Sequence, residues 1–139
     1  MLLRYASNQA FFGIELLNEP GAADVPLNVM EYYYTWGYST VRKHSSTAYV
    51  IMCQRIGANF AELVNVLPAD NVVLDVHCYN LFNSALFNHT TAQWNINYVY
   101  NDRRSLIQGL NVAGNALIFV GKLLHSMNCL LFLRSFKTE

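Results

Sequence analysis

An α/β fold built on a parallel sheet is predicted by three features of the sequence. Four short runs, "AFFGIELL" (10–17), "AYVIMC" (48–53), "NVVLDV" (71–76) and "ALIFV" (116–120), are near-continuously apolar, as strands covered on both faces are. Longer amphipathic stretches lie between them, so the order reads β-α-β-α-β-α-β and implies right-handed crossovers. Polar residues gather where the runs end: Asn18-Glu19 after the first, Gln54-Arg55 after the second and His77-Cys78-Tyr79-Asn80 after the third.

The connecting elements follow from spacing. Between the first two strands Val29, Tyr33, Trp36 and Thr40 recur at intervals of four, three and four, with Met30, Tyr34 and Val41 beside them. That pattern predicts a helix with a wide buried stripe, opened by Pro26 near its first turn. It assigns the aromatic stretch "EYYYTWGY" to packing rather than to a flat platform for sugars. "NFAELVNVL" (59–67) reads as a shorter helix. Before the last strand, T-T-A-Q offers a capping box in which Thr90 and Gln93 satisfy the first free amides of a helix running to about Leu110. Ile96, Tyr100, Arg103, Ile107 and Leu110 mark one face of it. Asn88-His89-Thr90 fits a glycosylation sequon, with Thr90 already used as a cap.

Composition sets further bounds. The 139 residues are 53% hydrophobic and 13% charged, against roughly 25% charged in a typical soluble domain. Either most of such a surface is meant to be covered, or the chain is sticky. Net charge is zero, with no basic block or acidic tail, which argues against nucleic acid and anionic membrane as partners. "MLLRYASNQAFFG" lacks the apolar core and small-residue cleavage site of a signal peptide. Lys122 and His125 interrupt the apolar stretch after position 116, so no run approaches the ~20 residues of a membrane span. Cys53, Cys78 and Cys129 are odd in number and contain no C-x-x-C pair. They give little support to a disulfide framework or a zinc site and fit small buried hydrophobes; no cofactor and no metal are expected.

Two architectures carry this element order: an open doubly wound sheet, or part of a (β/α)₈ barrel. No glycine-rich phosphate loop follows any strand, which removes the best local support for a nucleotide-binding sheet. Polar clusters at the C-terminal strand ends favour the barrel, whose chemistry sits there. A carboxylate at such a tip, as Glu19 is, can be held rigidly, and partial burial is expected to raise its pKa for acid work near neutral pH.

Taken together, "GIELLNEP", "VVLDVHCYNLF" and "ALIFVG" resemble the retaining glycoside hydrolases of family 5, most closely the plant and fungal exo-β-1,3-glucanase (glucan 1,3-β-glucosidase) branch, over roughly residues 1–121. The resemblance implies a partial (β/α)₈ TIM barrel, approximately strands 4 to 7, and hydrolysis of β-glucan or β-glucosides. It makes Glu19 the general acid/base and Asn18 the partner of the sugar 2-hydroxyl. It lines the sugar subsite with His77 and Tyr79 and puts Phe82 at the cleft entrance. A retaining enzyme of this kind uses two carboxyl groups about 5–5.5 Å apart, the second attacking the anomeric carbon.

The departures are as specific as the match. Family members carry F-V-G-E-W at the seventh strand, its glutamate the nucleophile, where this chain reads Phe119-Val120-Gly121-Lys122-Leu123. The nucleophile is absent, with Lys122 at its position, and an ammonium cannot form the glycosyl ester. Residues 122–139 match nothing in the family. Gly121-Lys122 can be encoded GGT-AAA, which contains the GTAA of an intron's 5′ boundary, so the tail reads as translated intron. The first three strands and the eighth are missing from the match, four strands cannot close an eight-strand barrel, and open sheet edges invite self-association. The expectation is a glycoside hydrolase by descent whose chain is inactive. The alternative is a non-catalytic half-barrel that binds carbohydrate or a partner. Members are often secreted or in the cell wall, but with no signal peptide in this chain the sequence leaves its location open.

Overall fold

The computed structural model describes residues 2–5, 7–79, 92–114 and 116–124. A four-residue helix α1 (Leu2–Tyr5) leads into strand β1 (Gly13–Glu15). Helix α2 (Leu27–Arg42), β2 (Tyr49–Cys53) and β3 (Val72–Tyr79) follow. Helix α3 (Ala92–Tyr98), a π-helical turn over Val99–Arg103, helix α4 (Arg104–Ala113) and β4 (Leu117–Leu124) complete the order. The sheet runs β1-β2-β3-β4 with every pair parallel. Strands laid down in chain order, each beside the last, are the winding of a barrel wall.

Alternation along the strands separates two faces. Ile14, Val50, Met52, Val72, Leu74, Val76, Cys78, Ile118 and Val120 point toward the helices and meet Met30, Tyr34, Val41, Leu63, Val64, Leu67 and Leu110 in one core. The other face carries Glu15, Ile51, Cys53, Val73, Asp75, His77, Tyr79, Leu117 and Phe119, of which Cys53, Val73, Asp75 and His77 are buried. Leu117 and Phe119 remain more than half exposed there.

Several expected elements shift, each for a local reason. The first strand is only three residues long rather than 10–17, whereas the third and fourth run past their expected ends, to Tyr79 and Leu124. On α2 the buried positions are Met30, Tyr34, Gly37 and Val41. Val29 and Trp36, expected inside, are exposed at 49% and 61%. The stripe is rotated by about one residue, because Gly37 lets the helix lie on Leu16: a Cβ at that position would come within 2.6 Å of Leu16 Cδ1. Arg42 closes α2 by donating to the carbonyls of Ala48 (2.8 Å) and Asp70 (2.8 Å), tying the helix end to the starts of β2 and β3.

Residues 59–67 form successive turns instead of a helix. Glu62, Val64 and Val66 each donate to the carbonyl three residues back. Asn59 Oδ1 takes the Ala61 N–H at 2.9 Å, the side-chain competition by which asparagine diverts a backbone from α-helix. The expected single helix before β4 is divided by the π turn, which slips the phase of its faces. Leu110 is therefore buried, while Ile96 and Tyr100 are exposed. Gln93 donates to Asn97 Oδ1 at 3.0 Å; the Thr90 cap, the sequon and Asn80 lie outside the described residues. Cys53 and Cys78 are free and buried, and Cys129 lies outside the described residues. Among the described residues no helix is long and apolar enough to cross a membrane.

Candidate active site

Both edge strands present their tips through an extra residue. From Glu15 to Gly21 the first strand advances six positions while its neighbour advances five, from Ile51 to Ile56, before the two pair again. Glu19 sits in that detour with φ +50°, a left-handed conformation that glutamate seldom adopts. At the opposite edge, β4 advances three residues, Phe119 to Lys122, while β3 advances two, Asp75 to His77. This bulge turns Lys122 toward the mouth of the sheet. Bulges of this kind commonly re-aim a side chain beside a functional site.

The two tips meet. Lys122 Nζ donates to Asn18 Oδ1 at 2.8 Å and to Glu19 Oε1 at 3.3 Å. Strands three places apart in a flat sheet would be separated by about 14 Å. Contact between these side chains therefore requires a sheet curled as a barrel wall is.

Glu19 is held from every side. Its amide donates to Cys53 Sγ at 3.3 Å. Its Oε1 accepts from His77 Nδ1 at 2.7 Å, from the Tyr79 hydroxyl and from Lys122. His77, 2% exposed, faces Asp75 Oδ2 with its other nitrogen at 3.2 Å. Asp75 is itself fixed by the Gly121 amide at 2.6 Å. Only glycine permits that approach, since a Cβ at 121 would lie 2.3 Å from a carboxylate oxygen. Gln54 donates to the His77 carbonyl at 2.9 Å. From α2, Tyr34 donates to the Cys53 carbonyl and Tyr33 to the Leu16 carbonyl, both at 2.7 Å. The tyrosine-rich helix thus pins the strand ends that carry the site.

The electrostatics differ from the sequence expectation. The Tyr79 hydroxyl above all, then His77 and Lys122, hold the Glu19 carboxyl below its ordinary 4.5, and burial, which acts the other way, does not overcome them. The same bond pushes Tyr79 up to about 12. The expected rise at Glu19 is therefore replaced by a fall. A neighbouring carboxylate would raise this group, and an ammonium lowers it.

Asn18, Glu19, His77, Tyr79 and Lys122 are thus brought together, while Phe82 lies outside the described residues. Sequence reasoning missed Asp75, although an aspartate inside the run "VVLDV" is a visible anomaly. It also missed Cys53, whose apolar surroundings gave no sign. Glu15, Cys53 and His77 each offer one atom within 4.8 Å of the others. The chemistry of that set suits a metal ion poorly: both His77 nitrogens face carboxylates, and burial lifts the Cys53 thiol to about 11, keeping it protonated.

A parallel sheet wound in chain order, with a carboxylate, an amide and an aromatic-histidine pair converging at the C-terminal ends of its strands, is consistent with part of a (β/α) barrel. The chain matches Cellulase (glycosyl hydrolase family 5) over residues 1–122 and belongs to that family. Its members are O-glycosyl hydrolases built on a (β/α)₈ barrel and act on carbohydrate. No curated protein and no solved structure matches the chain.

Proposed function

We propose that this chain is the acid/base side of a retaining β-glucan hydrolase of the exo-β-1,3-glucanase branch, and that as it stands it does not turn over substrate. Glu19 occupies the acid/base position of the N-E-P motif. Asn18, His77 and Tyr79 are the sugar-facing groups, and Phe82 joins that set through its place in the sequence motif. The observation that carries the reading is Lys122 Nζ seated on Asn18 and Glu19.

Two consequences follow from that ammonium. No carboxylate stands at 122 to attack an anomeric carbon. Glu19, bonded by three donors and ionised at neutral pH, has no proton to give a leaving oxygen. The exo-1,3 preference, the separate character of residues 122–139 and the inactive state belong to this reading. The competing reading, a half-barrel that binds carbohydrate or a partner without chemistry, uses the same residues with Lys122 as a further hydrogen-bond donor.

The test is release of glucose from β-1,3-glucan, and of phenol from an aryl β-glucoside, by the full chain and by Glu19→Gln. Equal, background-level rates are expected. Lys122→Glu alone should not restore turnover, because positioning by the rest of a barrel supplies a large part of the barrier reduction. Glu19-dependent hydrolysis by the unaltered chain would overturn the proposal.

A further inference from the structure

Three carboxyl groups, those of Glu15, Glu19 and Asp75, stand around His77 on the site's side of the sheet. Among the described residues Lys122 is the one lysine or arginine that reaches them. Arg55, at the end of β2, is turned away onto Glu62 at 2.7 Å and the Val25 carbonyl at 2.6 Å.

The contact that Lys122 makes has the form of a receptor for an ammonium. An amide oxygen, Asn18 Oδ1 at 2.8 Å, and a carboxylate oxygen, Glu19 Oε1 at 3.3 Å, converge on Nζ. Glu19 does not depend on the lysine for its place, because His77, Tyr79 and, through its amide, Cys53 also hold it. The occupant is less fixed than the receptor. Lys122 is 46% exposed at its side chain, and its flexible four-carbon stem can carry the charge out into water.

We propose that Asn18 and Glu19 form an ammonium site whose internal occupant is Lys122 and whose external ligand is a protonated 2-amino-2-deoxy sugar, which binds by displacing the lysine. The inference rests on the sugar-facing role given to Asn18 above. That role puts the sugar's 2-substituent against Asn18, where this chain holds an ammonium instead. A C2 ammonium has three N–H donors and can repeat both bonds of Nζ; a 2-hydroxyl has one proton and can serve only one of the two acceptors without turning the Asn18 amide. Exchange of one ammonium for another also keeps Glu19 ion-paired. A neutral sugar that expels Lys122 removes a charge-assisted bond and returns a weaker one. The site therefore ranks a protonated amino sugar above its neutral counterparts, and Lys122 competes with them all.

NMR titration of the nitrogen-15-labelled full chain and of Lys122→Met tests this, with glucosamine, N-acetylglucosamine and glucose as probes. The pH is held near about 6, below the range in which an amine of this kind loses its proton. Lys122→Met should bind glucosamine about tenfold more tightly than either neutral sugar, the step from a neutral to a charged hydrogen bond. It should also bind glucosamine more tightly than the unaltered chain does, since no internal ammonium competes. Adding Glu19→Gln to Lys122→Met should erase the preference. Equal affinity of Lys122→Met for the three sugars overturns the ammonium site and leaves the sugar-facing reading in place. Binding of none of them overturns that reading, and the proposal with it. Glucosamine bound as tightly by the unaltered chain as by Lys122→Met sits elsewhere, and the proposal fails. If Lys122→Met does not fold, the Lys122 side-chain signal of the unaltered chain decides: glucosamine should shift it and glucose at the same concentration should not. A Lys122 signal that glucosamine leaves unmoved overturns the proposal.

Discussion

The two faces of the sheet differ in how they are finished. On the helix-covered face Val50, Met52, Val72, Leu74 and Val76 are sealed. On the other, Leu117 and Phe119 of β4 stand more than half exposed below a mouth crowded with Asn18, Glu19, Asp75, His77, Tyr79 and Lys122. One face holds the chain together by burial, which is non-directional and tolerant of shape. The other is organised by hydrogen bonds of fixed geometry.

The largest effect should come from the finished face. Leu74→Ala removes a fully buried side chain from the centre of the core and should cost about 2–5 kcal/mol, read as a fall in the urea midpoint. A loss below about 1 kcal/mol, the range of surface substitutions, would mean that the two faces are not as different as their burial says.

Next comes the join between the faces. Gly121→Ala drives a Cβ into the Asp75 carboxylate and should cost about 1–3 kcal/mol by overpacking. It should also displace His77, visible as a changed pattern of its ring nitrogen shifts by NMR. An unchanged His77 signal would show that the Gly121–Asp75 contact does not support the site.

How much of this was legible follows the same division. The parallel α/β order and the helix-facing residues of β2 and β3 could be read from apolar runs, because burial on that face writes itself into composition. The convergence of Asn18, Glu19, His77, Tyr79 and Lys122 was readable only through resemblance to a family. The two bulges that aim Glu19 and Lys122 left no trace in residue type, since an extra residue alters register and not polarity. Asp75 was legible as an oddity but not as the support of His77, because its partner is a backbone amide on another strand. The rotation of α2 depended on Gly37 meeting Leu16, a contact that helical periodicity alone does not encode.

A smaller and purely electrostatic effect ranks the groups around Glu19. Tyr79→Phe should raise the Glu19 pKa toward its ordinary value, and Lys122→Met should raise it less, in line with the order of their influence. Carboxyl-carbon NMR titration of the three proteins measures both. The reverse order would place the ammonium, rather than the phenol, in control of the site.

The smallest effect is the pH dependence that the mouth lends to stability. The folded-state pKa of Glu19 is depressed, so its contribution is fully present above the unfolded value near 4.5 and disappears as pH falls through the folded value. Tyr79 has the opposite sign: its pKa is raised from 10.0 to about 12, so its contribution is complete below pH 10 and is lost as pH rises toward 12. Each side chain stands near water, so each arm should amount to less than about 1 kcal/mol, the scale of partly exposed ion pairs. Urea midpoints collected from pH 3 to 11 for the chain and for Glu19→Gln test both arms, and both should flatten in the variant, because the Glu19–Tyr79 bond shifts both groups. If the acid arm survives Glu19→Gln unchanged, other carboxyls set it, and the mouth contributes nothing to holding the sheet closed.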